Sequence, residues 1–435
     1  MTPFDLLRLD RDVAAISARV RAWRRAGRIE EPPAIPRELS SLATYRDLKD
    51  LASDPIAGRL ALHVASLTLD RVTVDDELRV SEARRARSES PAAPGVSIAQ
   101  LAHQIVEPGN AKARLRELEA IARPLREAVR IAAGRRHEAA LRLGLSSAYE
   151  IEGAAIPPVA VLVDEALGIT EPAFAEMRGA SFLELVQMGV AADAGEGWPA
   201  KITSRWLRSV FGRGPLFDGL SLAVEPLPEP LGAASFARAL ARTGAELAYA
   251  DRPTDVPASV ARDPFDLLEA SRAVLFGALV AEPAFHTRKL GLGPGRARDQ
   301  ARVVARRAVI WLRVAALRAL AYADLGEVDR SGNYPEHVER CLGRPLSGEL
   351  AGVMPLASPS SALHLAAFFR AAQDREALRE AFDEDWFDNP RAHEALRHEN
   401  HTSRPVRPEK AEATENVGSA DPKGSLRRAL AELLP

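Results

Sequence analysis

Apolar residues in this 435-residue chain recur mostly three and four positions apart, not two. That spacing is the period of a helix with one buried face. The first stretch shows it, with Phe4, Leu7, Val13, Ile16, Val20 and Trp23 in step. Ala, Leu, Arg and Glu dominate, all good helix formers, and β-branched runs are short. The fold class that follows is all-α. Prolines 32, 33 and 36 are expected to close the first helix. Further helices are expected over 44–86, with a break at Asp54-Pro55, over 96–107 and over 110–143.

Turn chemistry places loops at 85–96 and Pro157-Pro158, and a third from Glu225 to Pro230. The last of these divides an N-terminal helical region, 1–224, from a second helical region, 225–402. From 403 to 435 polar residues, Pro and Gly prevail, which reads as a flexible tail ending in a short helix at 424–433. No repeat of fixed period is present.

Charge narrows the function classes. Lys and Arg number 58 against 60 Asp and Glu, so no global field favours nucleic acid or an anionic membrane. A lone cysteine, Cys341, rules out an internal disulfide and a multi-cysteine metal site. The acidic N-terminus lacks a signal-like apolar run, and no stretch nears the roughly 18 apolar residues of a membrane span. A soluble cytoplasmic protein is the expectation.

The centre of the chain is 232–292. An Ala- and Leu-rich helix is expected from Ser235, as N-cap, to Ala250, and a second from Asp263 with Pro264 at its first position. Gly244 lies in the first of these, and Glu269, 24 residues after Ala245, in the second. This spacing resembles the core of zinc metallopeptidases of the thimet oligopeptidase and oligoendopeptidase F type. In those enzymes H-E-x-G-H lies on one helix and a third ligand, a Glu, on the next. The segments 111–148, 282–292 and 382–392 are similar in order to other parts of that family.

The resemblance implies a zincin-type, two-lobed helical body around a cleft, and a metal site that has been lost. Ala241 and Ala245 stand where the two metal-binding His would be, and Arg242 where the general-base Glu would be. Neither alanine offers a donor to zinc, and a guanidinium accepts no proton. The expectation is therefore a pseudoenzyme with no catalytic residue and no zinc or other cofactor. Such a protein would bind a peptide or protein segment, or act as a scaffold. The alternative is a peptidase or other hydrolase using a different site in the same cleft. Arg242 is expected to replace the metal as partner of Glu269, with Glu246 one turn on as a second partner.

Other candidates are weaker in pattern. His364 is the titratable side chain left where the family places its oxyanion-stabilising groups, and a satisfied core histidine is its plainer reading. Arg298, Arg302 and Arg306 form a stripe at i, i+4, with Arg313 and Arg318 beyond. Arg302 and Arg306 could meet an acidic ligand. A solvated face backed by Val303, Val304, Ile310 and Leu312 is the preferred reading. His393, His398, Glu399 and His401 read as exposed and incidental. Gly291 to Gly295 reads as a helix connector, since neither a strand nor Lys-Ser/Thr flanks it.

Overall fold

The computed structural model describes residues 3–28, 30–51, 53–86, 111–145, 158–177, 196–211, 216, 232–250, 256–262, 267–327, 330–402 and 422–434. Among these the regular elements are helices, with one isolated bridge between Val353 and Leu356. The protein is predominantly all-α. No helix among the described residues is long and apolar enough to cross a membrane.

Local chemistry sets the helix ends. Helix α1 (Pro3–Arg25) stops well before the prolines expected to end it. Gly27 and Arg28 both adopt positive φ there, at 86° and 57°, and the left-handed turn ends the helix first. Helix α2 (Leu42–Asp50) starts at Ser41, whose side chain accepts from the Thr44 N–H. The expected break at Asp54-Pro55 is present: Asp54 Oδ1 accepts from Ile56 N at 2.8 Å and opens α3 (Pro55–Ala86). Helix α4 (Ala111–Arg142) follows the expected 110–143 closely. The expected helix at 96–107, Asp263-Pro264 and the loop from Glu225 to Pro230 lie outside the described residues.

The N-terminal core forms where α1 and α2 lie against α3. Val13, Ile16, Val20 and Trp23 are buried as the period requires. Leu7 is not: it is 47% exposed, and Leu6 takes the inward position instead. Arg24 crosses from α1 to α3, donating to Asp70 at 2.7 Å and to Glu77 at 2.6 Å. Arg136 of α4 reaches the same Asp70 at 3.2 Å. Burial opposes these charges, yet the two arginines hold the Asp70 carboxyl below its ordinary range.

The larger cores are organised on α11 (Pro294–Glu327), which at 34 residues is about 51 Å long. One core joins α4, α5 (Val159–Ala175), α11, α12 (Tyr334–Leu342) and α13 (Ser361–Phe382), so it draws on both sides of residue 225. The other joins α6 (Ser204–Val210), α7 (Ala233–Ala250), α9 (Leu267–Gly277) and α10 (Pro283–Leu290) to α11, α13 and α14 (Pro390–Thr402). The short α8 (Ala258–Ala261) is pinned to α1, where Asp10 accepts from Ala258 N and Ser259 N, each at 2.8 Å. The expected terminal helix is α15 (Pro422–Leu433). It docks on α13 through Leu426 and Ala429, with Glu432 beside Arg375 and Arg379.

Helices α7 and α9 are the most tightly apposed pair. A Cβ at Gly244 would fall 2.9 Å from the Arg272 carbonyl carbon and 2.9 Å from the Phe276 ring, closer still to the carbonyl oxygen. Across the same seam a Cβ at Gly277 would fall 3.1 Å from that of Ala241. Small residues are therefore required on both helices. Replacing Gly244 by Ala gains about 1 kcal/mol of helix propensity. The clash is with backbone, which does not yield, so overpacking of about 1–3 kcal/mol outweighs the gain. Gly244→Ala is expected to lower the melting temperature. Gly134→Ala in α4, where no atom lies within 4 Å of the new Cβ, is expected to raise it. Thermal unfolding of the two variants checks both signs.

Candidate functional site

Ala241, Arg242, Gly244, Ala245 and Glu246 all lie on α7, and Glu269 in the first turn of α9. The first turn of α7 begins at Ala233, so Ser235 is inside the helix and buried rather than its N-cap. Opposite contacts run Ala241 to Gly277 and Gly244 to Arg272, which makes the two helices antiparallel. That register carries Glu269 beyond Ala245, toward the last turn of α7. Arg242 pairs with Glu246 at 3.4 Å, one turn away on its own helix. Both side chains are partly exposed, so the pair contributes little to stability.

Zinc fits this seam poorly. Ala241 meets Gly277 and the Gly244 backbone meets Arg272 across the seam, while Ala241 and Ala245 are themselves only partly buried. The alanines bring no donor. Among the described residues no three His, Cys, Asp or Glu side chains converge as a metal site requires.

The arginine stripe divides along α11. Arg302 and Arg306 are exposed, and Arg306 lies 3.8 Å from Glu176. Val304, Ile310 and Leu312 back this face as expected, but Val303 is 47% exposed because it turns outward beside Arg302. Arg313 is wholly buried. His393 is buried as well, not exposed: its Nε2 lies 2.9 Å from the Phe387 carbonyl oxygen, so it packs inside the second core. His398 is exposed, whereas the side chains of Glu399 and His401 lie outside the described residues. Gly291 caps α10 at φ 70° and leads into α11, so the glycine run is a connector. Cys341 is buried, and burial pushes its thiol up to about 12, leaving it inert at neutral pH.

A cleft lies elsewhere, between the second half of α3, the middle of α4, the far end of α11 and the turn before α13. It is a small recess, partly open to solvent. Val80, Val129 and Leu356 give it an apolar wall. Arg28, Arg84 and Arg136 give it three guanidiniums, against the single carboxylate of Glu77. Glu77 is already held by Arg24 and by Arg28, the latter at 3.0 Å. The wall continues through Ser358 and Pro359 into α13, whose N-cap Ser360 makes no side-chain capping bond.

Arg318 stands one turn before Tyr322, which lines the cleft, and its Nε is buried with no hydrogen-bond partner among the described residues. Burial, and then repulsion from Arg84, lower its pKa. His364 sits in the first turn of α13. It is not a packed core histidine, since its side chain keeps access to solvent. Protein nevertheless surrounds it closely, and this desolvation, with Arg318 adding repulsion, pushes its pKa down to about 4. The cleft brings together residues that lie far apart in sequence. None of the residues singled out from sequence lines it.

The sequence matches no family model and no curated protein.

Two further histidines have depressed pKa values, both chiefly by burial. His286 uses Nε2 toward the Val280 carbonyl at 2.7 Å and Nδ1 toward the Gln300 amide at 3.1 Å. Nε2–H donates there, so Nδ1 accepts and the ring is neutral. His393 is the other. A histidine whose folded pKa lies below its unfolded value loses stability as pH falls, because the unfolded chain takes up the proton first. The window for His364 runs from 6.5, the ordinary value, down to about 4. Stability measured by urea unfolding is expected to fall as pH drops through that window, and to fall less steeply in His364→Asn.

Proposed function

We propose that the protein is a non-catalytic, oligopeptidase-like helical body that binds a peptide or protein segment. What supports this reading is the chemistry of the α7 positions. Where the resemblance would place two ligands and a base, the chain has two alanines and an arginine. A hydrolase of this type needs a metal-bound water and a nearby carboxylate to take its proton. Ala241, Arg242 and Ala245 supply neither. The cleft offers binding instead: concave, mostly apolar and carrying surplus positive charge, as ligand sites commonly are.

The test is a defined peptide library incubated with the full chain, after expression in zinc-supplemented medium. Zinc content is read by elemental mass spectrometry, and peptide binding and cleavage by mass spectrometry of the recovered peptides. The expected outcome is zinc well below one per chain, with peptides retained intact and binding indifferent to a chelator. Cleavage that a chelator abolishes would restore a working metallopeptidase.

A further inference from the structure

The C-terminal helix α15 is held by charge pairs as much as by apolar packing. Leu426, Ala429, Leu430 and Leu433 recur three and four positions apart and so share one face, with Leu426 and Ala429 buried. The helix lies mainly on α13, with α5 and α11 beside it. Leu426 and Leu430 pack into one of the two larger cores, and Leu433 and Leu434 against the other.

The flanks of that face meet matching charges. Lys423 pairs with Glu165 of α5. Arg428 and Ser425 both donate to Glu376 of α13, at 2.7 Å and 2.5 Å. Glu432 pairs with Arg375 at 3.2 Å and with Arg379 at 2.5 Å. The seat therefore offers carboxylates to the first half of the helix and guanidiniums to its last turn, an order that also suits the helix dipole.

The seat does not need α15 to settle its own cations. Arg375 already donates to Glu282 at 3.0 Å, and Arg379 to Glu384 at 3.3 Å. The hold of the helix is correspondingly slight. Lys423, Arg428 and Glu432 are about half exposed, so each pair contributes little. A helix of 12 residues is marginal by itself, and weakly anchored terminal elements open before the body does.

We propose that the groove over α13, flanked by α5, is a docking site for an amphipathic helix of a partner protein, and that α15 is its built-in occupant, displaced when the partner binds. The partner helix carries basic side chains in its first half, apolar residues at i, i+3, i+4 and i+7, and an acid in its last turn. This groove is separate from the recess beside Val80, and the proposal does not rest on binding there.

The test is fluorescence anisotropy of a labelled synthetic peptide of residues 422–435 with the full chain. Leu426→Asp removes the anchor of the tethered helix. The peptide is expected to bind that variant at least tenfold more tightly than the wild-type chain, where α15 competes at high effective concentration. Arg428→Glu loosens α15 through an exposed side chain, and keeps the fold if Leu426→Asp does not. Reversing all three charges of the peptide, at Lys423, Arg428 and Glu432, is expected to weaken it about tenfold, since three attractions become repulsions. Adding Glu376→Arg to the Leu426→Asp chain should reject the native peptide and accept one carrying Arg428→Glu.

Peptide that binds neither loosened chain, or binds them no better than wild type, would overturn the groove. Indifference to charge reversal would overturn it as well. A wild-type dimer that Arg428→Glu dissolves would assign the groove to a second copy of the chain and overturn the partner. None of these results bears on the peptide library, which is read on the wild-type chain.

Discussion

A guanidinium at the centre of an apolar body has to have its donors answered, and Arg313 is where this fold meets that demand. Its Nε donates to Thr170 Oγ1 at 2.9 Å, and its terminal nitrogens to the carbonyls of Cys341 at 3.1 Å and Leu167 at 3.2 Å. Glu171 supplies the counter-charge, and Phe174 lies under the guanidinium plane at 3.7 Å from its ring centroid. The partners come from α5 and from the C-terminal end of α12, where carbonyls have no N–H of their own helix to accept. Pro172 also removes one N–H from the last turns of α5. Stripping the partners from a buried charge costs about 3–5 kcal/mol, so three helices are held in one geometry. The long α11 can then carry two cores on opposite stretches of its length.

The same rule holds in the N-terminal core. At the junction of α1, α3 and α4, Arg24, Arg28 and Arg136 are met by Asp70 and Glu77, and the network fixes how the N-terminal helices meet. Burial works against Arg24, but its two carboxylates outweigh it and hold its pKa above the ordinary value. Arg318, partly buried on α11, has its pKa lowered instead, by burial and then by repulsion from the exposed Arg84.

Much of the architecture was legible because helix period and capping are local. Val13, Ile16, Val20 and Trp23 point inward as their spacing says, and Asp54 marks the start of α3. Errors arose where local signals competed. Gly27 ended α1 before the prolines could, and Ser235 lost the cap position when α7 began two residues earlier. The arginines of α11 were harder. Arg306 and Arg313 are seven residues apart and so share a helix face, yet one is solvated and the other wholly buried. The difference is where α5 ends: it covers Arg313 from Leu167 to Phe174, while Arg306 reaches only Glu176 just past its C-terminus. Periodicity along one helix cannot report the length of another. Nor can it report that Arg318 is within electrostatic reach of both Arg84 and His364, since they come from three helices separated by tens to hundreds of residues.

Gly244 shows how one residue can serve two explanations. On a metallopeptidase helix a glycine between the ligands fits the motif, and here it also fits a purely geometric need, because any side chain would strike the Arg272 backbone. The geometric reason is sufficient by itself, so Gly244 cannot count as a relic of catalysis. What distinguishes the two explanations is the residues that packing leaves undetermined. Arg242 and Glu246 are partly exposed and pair along their own helix, a contact that any surface helix accommodates. Ala241 faces Gly277 across the seam, but its side chain is only partly buried, so packing does not fix its identity as it fixes that of Gly244. The α7–α9 seam belongs to the second core, whereas packing stops short of filling the space in the recess lined by Val80, Val129 and Leu356.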